Sequence, residues 1–222
     1  MAVKKSVRII TDLTVDEIKY YYSLLTEEIT DYNCGDLCKG DNNGIPYCCV
    51  VDNAVPLLYK NELKYLQTQG KLWSVWKAKT KDDQKLKESA GDDQLFCECR
   101  GIEHCVRDER SISCRTFPLE PYIDRRGVLV GLTFMREFTD QDSVTGKIKC
   151  PLTKRKKDIR QQFIDSHFLF WEKILLRREE EYDTYVSTSR SLRRERGKTG
   201  RNFQVLLPSH FIGSKTVMEY LY

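Results

Sequence analysis

Residues 97–118 read CECRGIEHCVRDERSISCRTFP, and the rest of the chain is organised around this stretch. It carries Cys97, Cys99, Cys105 and Cys114 in a polar segment containing Gly101, without a helical or alternating apolar period. Upstream, residues 34–49 read CGDLCKGDNNGIPYCC, with Cys34, Cys38, Cys48 and Cys49 set among Gly35, Gly40, Gly44 and Pro46. That composition predicts an irregular loop. The ninth cysteine, Cys150, precedes Pro151. Thiolates are soft ligands, and clustered ones select zinc, copper(I) or iron–sulfur centres. A single buried cysteine is commonly inert packing. Nine in polar, glycine-bearing segments favour a metal site instead. Adjacent cysteines point apart in extended backbone, so Cys48-Cys49 would serve two metals, or one metal and one packing site.

The chain has 222 residues, 37 Lys+Arg against 33 Asp+Glu, and a formal charge of +4. At 40% hydrophobic it has apolar side chains enough for a core, and its length suits one domain with a substantial appendage. No apolar run is long enough for a membrane-spanning helix, and residues 1–17 hold no apolar run of signal-peptide length. A reduced, cytoplasmic setting is therefore expected, with disulfides the rival were the chain exported. Neither a pair of C-x2-C knuckles, nor H-x3-H, nor the close cysteine run of small ferredoxins is present.

Around the cysteine segments the expected fold class is α+β and helix-rich, with a β-hairpin and a long C-terminal helix. Residues 7–10 read as an edge strand, and Thr14-Val-Asp-Glu17 has the spacing of a capping box. Ile18, Tyr22, Leu25 and Ile29 then share one face of a helix ending near residues 31–33. A second helix is predicted over 58–69, stopped by Gly70, then a strand over 71–76 and a solvated excursion over 77–94. Residues 122–123 and 128–130 form a hairpin about a turn with Gly127. A long helix is expected from about 154 to 184, with Phe163, Phe168, Trp171 and Leu175 on its apolar face, and 203–207 as a final strand. These readings divide the chain into 1–33 (strand and helix), 34–184 (cysteine cluster and long helix) and 185–222 (basic tail and final strand).

The cysteine order resembles a known family. Cys34…Cys38…Cys48-Cys49, a leucine-bearing helix start at Leu57-Leu58, Cys97…Cys105, Arg110, the run Cys114-Arg115-Thr116-Phe117-Pro118, and Cys150-Pro151 are similar to the YkgJ-type cysteine-cluster family, a zinc- or iron-chelating domain. The likeness covers residues 34 to 175. Three departures stand out: nine residues separate Cys38 from Cys48, Ser111 replaces a proline, and Cys97-Glu-Cys99-Arg replaces Cys-Pro-Phe-Leu. The resemblance implies metal ligands at Cys34, Cys38, Cys48, Cys49, Cys97, Cys105, Cys114 and Cys150, with Cys97 preferred to Cys99 for its spacing to Cys105. It implies an iron–sulfur cluster of the 4Fe-4S kind, with zinc the alternative. Eight sulfurs exceed what one such cluster needs, so two centres form or some cysteines are structural. A distant relative, the flagellin lysine methylase, adds S-adenosylmethionine-dependent methyl transfer to protein lysine as a second hypothesis, although no Gly-rich nucleotide loop or acid–base pair is visible. Arg110 and Arg115 are placed beside the cofactor, where a guanidinium offsets thiolate charge; for Arg110 a surface ion pair is the alternative. His104 is either a zinc ligand or solvent-facing. No residue is singled out as catalytic.

Residues 151–201 hold fourteen Lys/Arg against eight Asp/Glu, a surplus of six, so the remainder of the chain is net negative. This segment is a candidate surface for nucleic acid or an acidic protein partner, against the plainer reading of a solvated helix face. No membrane partner is expected.

Overall fold

The structure is a computed structural model, and it describes residues 12–50, 55–139, 146, 148–200 and 203–221. The expected strand at 7–10 lies outside the described residues. The fold is α+β with two small antiparallel sheets. The described chain forms two compact units: a cysteine unit of residues 12–23 and Cys34–Phe117, and a C-terminal unit of Leu24–Asn33 and residues 118–221. Position 184/185, where a division was expected, lies inside a helix. No helix among the described residues is long and apolar enough to cross a membrane.

The cysteine unit opens with helix α1 (Val15–Leu24), whose start is the capping box: Glu17 N–H donates to Thr14 Oγ1 at 3.2 Å, and Thr14 N–H donates to Glu17 Oε2 at 2.8 Å. It is shorter than its apolar period suggests. Residues beyond Leu24 belong to the other unit, where Ile29 O accepts the Arg160 N–H at 2.9 Å and the Arg160 side chain meets Glu27 and Asp31. Those tertiary bonds override the helical pattern.

Strand β1 (Leu57–Tyr59) runs straight into helix α2 (Lys60–Gln69), and strand β2 (Trp73–Val75) follows. Gly70 ends α2 for lack of space rather than for its backbone angle, since a Cβ there would lie 2.3 Å from a Glu109 carboxylate oxygen. Helix α3 (Lys81–Glu88) lies within the expected excursion. Thr80 and Asp83 cap it reciprocally, while no residue in it is buried. Strand β3 (Gln94–Cys99) is central: β1 pairs with its first half and β2 with its second, placing Val75 opposite Cys97 and Trp73 opposite Cys99. Helix α4 (Ile112–Thr116) completes the unit.

The C-terminal unit is built on the expected hairpin, strands β4 (Leu119–Ile123) and β5 (Leu129–Phe134), buried along their whole length. Asp124 closes the turn by accepting the N–H groups of Arg126 and Val128, and Gly127 takes φ 78°. Helix α5 (Arg136–Thr139) follows β5. The single helix expected over 154–184 is instead two: α6 (Gln161–Arg177) and α7 (Glu179–Thr199), with short 3-10 turns before them. Arg178 breaks the run at φ −118°, ψ 100°, and its N–H closes α6 on Ile174 O. Three glutamates, Glu179 to Glu181, then fill the first turn of α7, where the helix dipole favours negative charge. Arg196 and Lys198 lie in its last turn, and Gly200 ends it at φ 70°. Most of the segment expected as a basic tail is thus helix.

Helix α6 buries Phe163, Ile164, Phe168, Phe170, Trp171, Ile174 and Leu175. Helix α7 lies along β4, where Ser189 Oγ accepts the Ile123 N–H and Arg193 donates to Ile123 O. Strand β6 (Val205–Leu206) pairs with the free edge of β5, and helix α8 (Lys215–Tyr220) ends the unit. Gly131 permits that pairing, because a Cβ there would sit 2.5 Å from Leu206 O.

Glu120 points into this buried sheet with its Oε1 lacking a hydrogen-bond partner. Burial, then the charge of Glu137, pushes its carboxyl up to about 8. A glutamate whose folded pKa is raised binds its proton more tightly folded than unfolded. Stability from Glu120 should therefore be present below about pH 4 and fall as pH rises towards 8. Glu120→Gln is expected to remove that fall, gaining on the native chain by roughly 4–5 kcal/mol between pH 4 and 9. Urea melts across that range measure it, and parallel pH profiles for the two proteins would refute it.

Candidate metal centre

The first cysteine segment is a succession of 3-10 turns, Cys34–Leu37, Lys39–Asp41 and Tyr47–Cys49. Gly35 O accepts both the Cys38 N–H at 3.2 Å and the Cys38 thiol at 3.6 Å. The long spacer between Cys38 and Cys48 folds back on itself: Lys39 O accepts the N–H groups of Asn42 and Gly44, and Asn42 Nδ2 donates to Ile45 O. Asn43 and Gly44 take φ 53° and 80°, the left-handed pair that reverses the chain. Cys48 and Cys49 lie on a 3-10 turn rather than in extended backbone, and their sulfurs stand 3.9 Å apart. The expectation that adjacent cysteines diverge is overturned by that turn.

The second segment is more regular than its composition suggests. Cys97 and Cys99 belong to β3 and Cys114 to α4, while Cys105 follows a 3-10 turn entered through Gly101 at φ 93°. Ser111, at the position where the family has proline, caps α4: its Oγ accepts the Cys114 N–H at 3.2 Å.

Seven thiols share one electrostatic neighbourhood. Cys34 feels Cys38 and Cys49; Cys38 feels Cys49; Cys48 feels Cys49, Cys34 and Cys114. Cys99 feels Cys105 and Cys49, and Cys114 feels Cys99, Cys49 and Cys105. Desolvation pushes Cys34, Cys38 and Cys99 up and holds Cys114 at about 12. Cys48 and Cys49 share a proton. The hydrogen bond between their sulfurs, followed by the charge of Arg110 against the cost of burial, lowers Cys49 to about 7. The same sharing holds Cys48 far above the ordinary thiol value.

Cys97 stands outside this set. Fully buried, its thiol meets Leu95 O at 3.6 Å, and burial, then the carboxylate of Glu62, raises it to about 12. Cys99, set aside on spacing, is the strand cysteine facing the other sulfurs electrostatically. Cys150 belongs to the C-terminal unit, and His104 is exposed on its turn.

The two arginines have different tasks. Arg110 Nε donates to Cys105 Sγ at 3.3 Å; burial opposes its charge, but the thiolates of Cys105, Cys114 and Cys49 more than restore it. Arg115 touches no sulfur among its bonds to the loop. It donates to the carbonyls of Arg110, Arg107 and Asp108, and its guanidinium lies 4.6 Å from the centre of the Tyr22 ring. It holds in place the loop from which Arg110 reaches the sulfurs.

Behind the site, Glu62 of α2 accepts the Ile112 N–H at 2.7 Å, the Tyr22 hydroxyl at 2.9 Å and the Tyr59 N–H at 3.2 Å, and is fully buried. Sequence reading missed it, though a signal was there: Glu62 falls four residues after Leu58 and four before Leu66, on the apolar face of its helix.

Among the described residues, no three His, Cys, Asp or Glu side chains converge on a single metal position. Compared with protein-family models, curated proteins and solved structures, the chain finds no match.

In metal-free protein, Cys49 is expected to be alkylated by iodoacetamide with a midpoint near pH 7, well ahead of Cys97 and Cys114. Arg110→Ala should move that midpoint upward. Peptide mass spectrometry over time reads both; equal rates at Cys49 and Cys97 would contradict the assignment.

Proposed function

We propose that the cysteine unit chelates an iron–sulfur cluster, as the resemblance to the YkgJ-type cysteine-cluster family implies. The observation carrying this reading is the charge balance of the site. Burial first, and then neighbouring sulfurs, raises Cys34, Cys38, Cys99 and Cys114, and Arg110 is a cation that bonds to a sulfur of the group, that of Cys105. One guanidinium cannot balance several thiolates, whereas a polyvalent metal group can. A mononuclear zinc site needs four sulfurs about 3.8 Å apart, given the usual zinc–sulfur bond. Only Cys48 and Cys49, at 3.9 Å, are recorded near that spacing, and no third donor joins them among the described residues. The preference for a cluster of several irons over one zinc ion follows the family resemblance and the number of thiols in one neighbourhood.

In this reading the seven thiols are the candidate ligands, Arg110 donates a hydrogen bond to Cys105, and Arg115 positions Arg110. Neither Cys97 nor Cys150 is required. Such a cluster supplies one-electron chemistry or an iron- and oxygen-sensitive structural core.

The chain produced and purified without oxygen is expected to carry iron and acid-labile sulfide in equal amounts, with visible charge-transfer absorption. Cys99→Ala and Cys114→Ala should each lower iron content by at least half, and Cys97→Ala should retain it. A folded protein with neither iron nor sulfide would refute the reading. Zinc at one ion per chain, without sulfide, would replace iron by zinc.

A further inference from the structure

The C-terminal unit holds a second site that shares no residue with the thiols. A cavity of about 210 Å³ opens beside β5, α7 and the chain entering β6, with Thr133, Arg136, Thr153, Lys154, Phe203 and Gln204 in its wall. Its two ends differ in chemistry. At the mouth stand two cations. Arg136 is held by Glu195 at 3.4 Å, and Lys154 is exposed and makes no ion pair among the described residues. Lys154 also begins the run Lys154-Arg155-Lys156-Lys157; Arg155 is drawn to Asp158 at 3.9 Å, while Lys156 and Lys157 are exposed. Arg136 and Lys154 against Glu195 leave the cavity wall with one net positive charge, next in sequence to further exposed lysines, which suits an anion. Inside, Gln204 presents a buried Oε1 with no hydrogen-bond partner, beside the aromatic ring of Phe203. A buried acceptor left unsatisfied calls for an N–H or O–H donor from elsewhere. The neighbouring hydroxyls do not supply it: Thr133 donates to Gln204 O, and Thr153 donates to Cys150 O.

We propose that this cavity binds a nucleotide unit, free or within a single strand, with its base N–H on Gln204 Oε1 and its phosphate at Lys154, Lys156 and Lys157. A planar ring with an N–H edge answers both Phe203 and Gln204, and the phosphate answers the basic run. The cavity's volume suits one base rather than a stacked pair. This site stands independently of the iron–sulfur reading.

The test uses the full chain at 50 mM and 200 mM salt. Anisotropy of a labelled 12-nucleotide single-stranded RNA and calorimetry with the four ribonucleoside monophosphates form its two arms. Binding is expected in at least one arm; monophosphates as tight as the strand identify free nucleotide, and a strand at least tenfold tighter identifies nucleic acid. The triple variant Lys154→Gln, Lys156→Gln, Lys157→Gln should weaken binding at least tenfold and flatten its salt dependence. Gln204→Leu should weaken binding about tenfold without changing the salt slope. Should Gln204→Leu unfold, photo-cross-linking of a 5-iodouracil strand to the native chain replaces it, with the adduct expected on the peptide containing Phe203. Absence of binding in both arms at 50 mM salt would overturn the proposal. So would inorganic phosphate or an acidic peptide binding as tightly, unchanged affinity in both variants, or cross-links confined to other peptides.

Discussion

A single buried carboxyl group, that of Glu62, ties the cysteine unit together. It accepts one bond from α1 through Tyr22, one from the β1–α2 junction through Tyr59, and one from the first turn of α4 through the Ile112 N–H. Burial pushes it up to about 7, and the three donors pull it back towards the charged form. The bond to Ile112 matters most for the site. A helix of five residues has few bonds of its own, and its first N–H groups need acceptors from outside. Glu62 supplies one and Ser111 Oγ another, so α4 is fixed at its start. Cys114 and Arg115 are thereby placed.

From α4 the constraint passes to the loop. Arg115 spends its donors on three carbonyls between Arg107 and Arg110, and its cation rests over Tyr22, whose hydroxyl is already bound to Glu62. The loop so held delivers Arg110 to Cys105. In the run Cys114-Arg115-Thr116-Phe117-Pro118 the arginine thus works on backbone, one step removed from sulfur. A lysine could not repeat this, because a single ammonium lacks the planar fork that meets three carbonyls while stacking on a ring. Phe117 leaves the helix at φ −57°, ψ 140°, the extended conformation required before proline, which ends α4 just past Thr116.

What the sequence displayed openly was periodic or locally hydrogen-bonded. The capping box at Thr14 and the hairpin turn at Asp124–Gly127 rest on residues within a few positions of one another, so they could be read directly. The failures are tertiary. Residues 24–29 continue a helical pattern, yet Arg160 engages Ile29 O and two flanking carboxylates and draws them into another unit. The break at Arg178 carries no proline or glycine; its trace is the acidic triplet Glu179–Glu181, which marks a helix start more firmly than the apolar face marks continuity. Within the site, spacing favoured Cys97 over Cys99. In the strand, pairing with Val75 seals Cys97 in the sheet beside Glu62, while Cys99 lies at the strand's end, where the chain turns at Gly101, a distinction that linear spacing does not carry.

The thiols sit on supports of two kinds, and this bears on how a metal group would be held. Cys99 and Cys114 project from a strand bonded on both sides and a helix pinned at its start. Cys34, Cys38, Cys48, Cys49 and Cys105 sit on or beside 3-10 turns, closed by isolated bonds such as Cys38 N–H to Gly35 O and Cys105 N–H to Ile102 O. Short turns of this kind open at far lower cost than a sheet. Burial, reinforced by neighbouring sulfurs, keeps protons on Cys34, Cys38, Cys99 and Cys114 in the metal-free chain. A bound metal group would require those protons to leave, and its free energy would then tighten the turns. For such a group the rigid pair would fix where it forms, and the turns would fix whether it stays.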